Sequence, residues 1–179
     1  MYFLFSLFCV NNVICMKIFR FLLVLCGTLF ASMGLAGEID GMRFTHIGLE
    51  EGLSHSTIFG INQDKEGNLW FATYDGFNKY DGYNFTVYRH QYKNPKSIAS
   101  DITRCVVIDN DNRIWIGTRE GLSLYNHRKN EFSNFFYKKK GQNVTVRNIV
   151  SMQKDWLMLG TTEGILLFDV KGERFLNDT

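Results

Sequence analysis

The chain has 179 residues, 45% of them hydrophobic and 15% aromatic, with one proline. That length and composition describe one ordinary folded domain and exclude a disordered or low-complexity chain. Its 20 Lys and Arg face 18 Asp and Glu, a balance that excludes the strongly basic surface by which a domain grips nucleic acid.

Residues 1–36 come first and stand apart, because they hold no acidic residue and carry the long apolar run. From Met16, an alternative start, the order is Lys17 and Arg20, an apolar stretch over 21–35, then the small residues Gly34 and Ala36. This is the architecture of a secretory signal peptide cleaved after Ala36, which predicts an exported mature chain. The competing reading is an uncleaved anchor helix, for which a span wants roughly 20 apolar residues. A lipoprotein signal around 23–26 is disfavoured, because Leu25 sits where a small residue is expected. Lys17 and Arg20 leave with the leader, so the remaining 18 basic residues match the 18 acidic ones. Cys9, Cys15 and Cys26 leave as well. Cys105 is then alone, no internal disulfide is available, and packing must hold the fold.

Beyond residue 37 the chain repeats itself. NLWFATYDGFNKYD at 68–81 returns as RIWIGTREGLSLYN at 113–126 and as WLMLGTTEGILLFD at 156–169, and the matched glycines Gly76, Gly121 and Gly164 lie 45 and 43 residues apart. A unit of this size cannot bury its apolar faces alone, so the chain is read as an array. In the first unit, short apolar runs bounded by turn residues predict strands at 57–63, 68–73, 76–80 and 84–89. DKEGN at 64–68 and DNDNR at 109–113 predict turns that open on Asp and place Gly67 or Asn112 in the left-handed region. The third unit shortens this turn to Lys154 and Asp155. Asp75-Gly76, Glu120-Gly121 and Glu163-Gly164 predict tight reversals between second and third strands.

The second strands, Leu69-Trp70-Phe71-Ala72 and Ile114-Trp115-Ile116-Gly117, are apolar at consecutive positions, so both of their faces must be covered. A sandwich strand would alternate. The fourth strand does alternate, as an outer and partly wet strand should. Together these features predict an all-β fold, an incomplete β-propeller over 37–179 with four-stranded antiparallel blades at 54–89, 101–137 and 145–176. Residues 42–47, whose RFTHI is like NFTVY at 84–88, are expected to form an orphan outer strand. An arc of three blades would leave sheet faces and edges open, which favours association, and the chain is read as the first part of a longer protein or a truncated product.

These units resemble the two-component regulator propeller repeat, through Gly52-Leu53-Ser54, Gln63-Asp64, Gly67-Asn68-Leu69-Trp70, Thr73, Gly76-Phe77-Asn78 and Tyr80-Asp81. The second unit matches through Ile114-Trp115-Ile116-Gly117-Thr118 and Gly121-Leu122; the third departs, with Met158 in place of Trp and no Asp turn. The resemblance covers about residues 43–176. It implies the periplasmic sensor region of a bacterial hybrid two-component system, whose full-length members carry two propellers, an immunoglobulin-like domain, a membrane helix, a histidine kinase, a receiver and a DNA-binding domain. Many such sensors answer oligosaccharides. The partners it implies are an oligosaccharide, the remaining blades of a longer chain and a second copy in a homodimer. Nucleic acid is not expected for this segment, and the membrane is met only through the leader or downstream segments.

No catalytic residues, metal site or cofactor are expected. His46, His55, His90 and His127 share no metal-ligand spacing. Asp109 to Asn112 has half the look of a calcium loop but no late bidentate Glu, so a β-turn accounts for it better. Trp70 and Trp115 recur at one blade position among apolar neighbours, which reads as packing between blades and not as a sugar platform. Cys105 is expected to pack in an inner strand. In a propeller the fourth-to-first and second-to-third connections share one face, and there the expected ligand residues are Tyr74, Asp75, His90, Gln91, Tyr92, Arg119, Glu120 and Glu163. The rival readings are a solvated connector for 90–101, the start of a secreted propeller lyase or glycosidase, and a stand-alone scaffold of oligomerising arcs. The enzyme reading lacks the S-x-D-x-G-x-T-W box of sialidase-like propellers.

Overall fold

A computed structural model of the chain describes residues 44–152 and 155–176. It divides into two compact units, Met1–Thr45 and His46–Thr179. In the first unit residues 44 and 45 are described and neither is in a strand; the expected signal segment at 1–36 lies outside the described residues. Among the described residues there is no helix, and so none long and apolar enough to cross a membrane.

The second unit is built of strands. β1 Ile58–Gln63, β2 Leu69–Thr73, β3 Gly76–Tyr80 and β4 Phe85–Tyr88 form the first sheet; β5 Thr103–Ile108, β6 Ile114–Thr118, β7 Gly121–Asn126 and β8 Glu131–Phe135 the second. A small hairpin, β9 Lys138–Lys139 with β10 Gln142–Asn143, precedes β11 Val146–Met152, β12 Trp156–Thr161, β13 Gly164–Asp169 and β14 Arg174–Phe175. Each four-stranded sheet is an antiparallel meander in sequence order. These are three blades of a β-propeller. The strands expected in the first blade match the observed ones to within a residue at each end.

Each β2-type strand turns back at the same device. Thr73, Thr118 and Thr161 donate their hydroxyls to the carbonyls of Gly76, Gly121 and Gly164 at 2.8, 3.0 and 2.7 Å. The same oxygens accept the N–H of Asp75, Glu120 and Glu163. The three glycines have φ of 111, 144 and 103°, a region that glycine occupies without a Cβ penalty. The reversal therefore reads directly from T-x-x-G.

Two apolar seams hold the blades together. Between the first and second, Trp70, Ala72 and Phe77 meet Val106, Ile114, Ile116, Tyr125 and Phe132. Between the second and third, Cys105, Trp115 and Leu122 meet Val146, Ile149, Leu157, Leu159 and Phe168. Trp70 and Trp115 are both 0% exposed, and their rings lie 5.1 Å from Tyr125 and 5.7 Å from Phe168 of the following blade. Cys105 is buried in the second seam and free; burial pushes its thiol up to about 12, against a weaker lowering by the Gly117 backbone contact.

Two expectations change. The orphan strand at 42–47 is not a strand over its described part: residues 44–47 pair with nothing in a ladder. A strand exists through its partner, and the local likeness of RFTHI to NFTVY supplies none. The middle strands are also not uniformly dry. β6 is buried at every position, whereas β12 buries Leu157 and Leu159 toward the second blade and leaves Trp156 exposed and Met158 half-buried. The first blade covers its other face differently. Leu53 is buried there, Phe71 packs on Phe85, and Ser54 is tied to Asn78 and Thr73 by hydrogen bonds of 2.7 to 3.0 Å.

Candidate functional site

The second-to-third turns and the fourth-to-first connections share one face, as the topology requires, and the expected residues separate into three groups on it. Tyr74, 48% exposed, turns toward the inner strand, its ring 5.5 Å from His55 and 6.5 Å from Phe59. Asp75 turns the other way and pairs with Arg89 at 3.0 Å. That contact raises the Arg89 guanidinium, with burial opposing and the Asp101 charge adding.

The connection at 90–101 folds onto itself. The His90 N–H donates to Asp101 Oδ1 at 2.6 Å, His90 Nδ1 lies 2.9 Å from the Ile98 carbonyl, and the Gln91 N–H donates to Ser97 Oγ. Gln91 Oε1 accepts from Asn94, and Tyr92 stands 86% exposed beside Lys93. His90 Nδ1 and Gln91 Oε1 thus serve the loop's own shape.

Arg119, Glu120 and Glu163 do come together. They line a cleft of about 570 Å³ between the second and third blades, with Lys138, Lys139, Gln142, Asn143, Thr145 and Thr162. Its walls are the two hairpin reversals, and its rim is the β9–β10 hairpin. That hairpin turns at Lys140 and Gly141, with φ of 52 and 80°, the two positive values of a type I′ turn. Asn143 Nδ2 donates to Glu120 Oε2 at 3.1 Å, Lys139 Nζ pairs with Glu163 Oε2 at 3.2 Å, and the Thr145 hydroxyl donates to the Arg119 carbonyl at 2.8 Å. Asn143 Oδ1 is buried without a hydrogen-bond partner. The lining offers donors and acceptors of both signs at short range, the chemistry that receives a polyhydroxylated ligand. Sequence reasoning named Arg119, Glu120 and Glu163 on this face but not Asn143 or Thr145; the signal available was the Lys-Gly pair that builds the rim.

The opposite end of the blades is stitched by carboxylates. Asp64 Oδ2 accepts from Trp70 Nε1 at 2.8 Å, and Asp109 Oδ2 from Trp115 Nε1 at 2.9 Å. Burial alone would raise both carboxyls. Hydrogen bonds from Trp70 and Asn68 hold Asp64 below the usual range, and Trp115 with Arg113 does the same for Asp109. Arg113 reaches Asp109, Asp111 and Asp155 at 2.6, 3.2 and 3.2 Å. Among the described residues, Asp64, Glu66 and His127 are close enough to share a metal ion. Their oxygens are already engaged, however. Both oxygens of Asp64 accept from Asn68, with Trp70 adding to one, and both oxygens of Glu66 lie 3.1 Å from Asn112 Nδ2.

The family model described as Two component regulator propeller matches residues 52–75 and 97–120. Over 70 residues, 39% of this chain, the sequence is 37% identical to a protein of Formosa agariphila named Histidine kinase P4, of which that stretch is 5%. Among solved structures, the extracellular domain of a hybrid two component system protein of B. thetaiotaomicron superposes with a TM-score of 0.65 at 32% identity, covering 74% of this chain and 20% of that one. The extracellular domain of a one component system protein of the same organism superposes at 0.61 and 19% identity, over 75% of this chain and 18% of the other, and shows the fold. The chain therefore spans a small fraction of the proteins it matches. The likeness is to extracellular domains, which supports a place outside the cytoplasm.

Proposed function

We propose, from the match of residues 52–75 and 97–120 to the two-component regulator propeller model, that the chain is a non-catalytic extracytoplasmic sensor segment of a two-component signalling protein, contributing to oligosaccharide recognition. The observation that carries the ligand part is the cleft between the second and third blades. Arg119, Glu120, Glu163 and Asn143 converge there, and the Asn143 carbonyl oxygen is left without a partner. A buried acceptor in that state costs about 1–3 kcal/mol, and a turn of the Asn143 side chain toward a ligand hydroxyl would satisfy it. The exposed apolar face of the third blade, with Val150, Met152 and Ile165, favours cover by further blades of a longer chain or by a second copy. Contact with a membrane comes through the leader or through downstream segments of that longer chain.

Calorimetric titration of the 179-residue chain with a panel of neutral oligosaccharides tests the reading. Saturable heat that Glu163→Gln and Asn143→Ala both weaken supports it. Heat from none of the panel, together with turnover of any member, sinks it.

A further inference from the structure

The inner strands of the three blades break register at one shared point. β1 slips between Ile58 and Gly60, β5 between Thr103 and Cys105, and β11 between Val146 and Asn148. The residues left out of the ladders are Phe59, Arg104 and Arg147. A bulge releases its extra residue from pairing and re-aims its side chain, and bulges recur beside functional sites. β5 packs between β1 and β11, so the three released residues stand in a row across neighbouring inner strands.

The row has a defined chemistry. The Arg104 guanidinium carbon lies 4.6 Å from the centre of the Phe59 ring, so the second bulge residue reaches toward the blade before it. A guanidinium over a ring uses its flat face and keeps its N–H edge open. Among the described residues Arg104 makes no hydrogen bond or ion pair, and Arg147 is exposed and makes none either. Arg113 is the contrast, with its donors taken by three carboxylates. Phe59, 39% exposed, and Tyr74 extend the row with apolar ring surface. Neither guanidinium has a carboxylate against it among the described residues, so an anion arriving at the row meets positive charge that is not already paired.

We propose that this row binds an acidic saccharide, with its carboxylate or sulfate ester received by Arg104 and Arg147 and an apolar ring face laid on Phe59 and Tyr74. The planar donor fork of Arg matches both anions in two-point contact. The saccharide part rests on the sensor reading above. The anion part rests on the two arginines and is separate from the cleft at Glu163.

Calorimetry of the 179-residue chain against hexagalacturonate, a chondroitin sulfate hexasaccharide and neutral maltohexaose decides it. At least one acidic probe is expected to bind, about tenfold more weakly in Arg104→Gln and again in Arg147→Gln, since one lost charged contact is worth about a factor of ten. Sodium chloride at about 1 M, where the screening length is about 3 Å, should weaken it too. Phe59→Ala should weaken the hexasaccharides while sparing inorganic sulfate. Equal binding of the acidic probes to the wild type and to the double arginine variant overturns the proposal, as does no heat from either at millimolar concentration. Maltohexaose heat that Glu163→Gln removes and Arg104→Gln leaves unchanged keeps the cleft reading standing by itself. Denaturation midpoints confirm that the surface variants are folded.

Discussion

The first two blades and the third share their strand order and their threonine-glycine reversals, yet differ at two positions six residues apart. Asp64 and Trp70 in the first blade, and Asp109 and Trp115 in the second, form a buried carboxylate-indole hydrogen bond. The third blade has Met152 and Met158 at those positions, the first exposed and the second half-buried. The indole N–H cannot be buried without an acceptor, and the carboxylate cannot be buried without donors. Trp and Asp therefore enter or leave a blade together. Where a following blade covers the face, the pair is present; where none does among the described residues, thioethers replace it.

The largest test of this contrast is truncation at the shared position. Trp115→Ala should lower unfolding free energy by about 3–5 kcal/mol, against less than about 2 kcal/mol for the half-buried Met158→Ala. Equal losses in chemical denaturation would break the comparison. A second contrast lies one blade apart in β6 and β12. A Cβ on Gly117 would meet Cys105 Sγ and come within 2.9 Å of the Val146 carbonyl, whereas on Gly160 its nearest neighbour would be Asn148 Cβ at 3.5 Å. Gly117→Ala should cost about 1–3 kcal/mol by overpacking, and Gly160→Ala should stay within about 0.5 kcal/mol.

Acid sharpens the same contrast with a smaller effect. Asp64 and Asp109 are held below the usual carboxyl range in the folded chain. Their stabilisation is full above the unfolded value of about 3.9 and is lost as pH falls through the folded one. Denaturation midpoints should therefore hold down to about pH 5 and drop below it, and Asp64→Asn with Asp109→Asn should flatten that drop. Smallest is the chemistry of Cys105. With its thiol raised to about 12 by burial, it should resist alkylation at neutral pH, and labelling at the rate of a free peptide thiol would mean that the second seam opens.

Much of this fold was legible in the sequence because its signals are local. T-x-x-G fixes a reversal within four residues, and consecutive apolar residues at 69–72 and 114–117 require cover on both faces. The recurrence at 45 and 43 residues orders the blades. What stayed hidden was where polar side chains go. Asp64 reads as a turn residue, and its second role toward Trp70 shows only in D-x5-W, a spacing that spans the turn. His90, Gln91 and Tyr92 offered hydrogen-bonding groups beside an aromatic ring, and nothing in their order reveals that the loop draws His90 and Gln91 into its own bonds. The bulges at Phe59, Arg104 and Arg147 were hidden for a related reason, since a register slip belongs to the pairing of two strands and leaves no mark in either alone.

The two seams are separate clusters, and only the second blade belongs to both. Cooperativity in such an array passes from neighbour to neighbour. Deuterium should therefore enter from the flanks inward, reaching the amides of β12 and β13 and of β1 early and those of β6 and β7 last, so that the middle blade sets the slowest exchange in the chain.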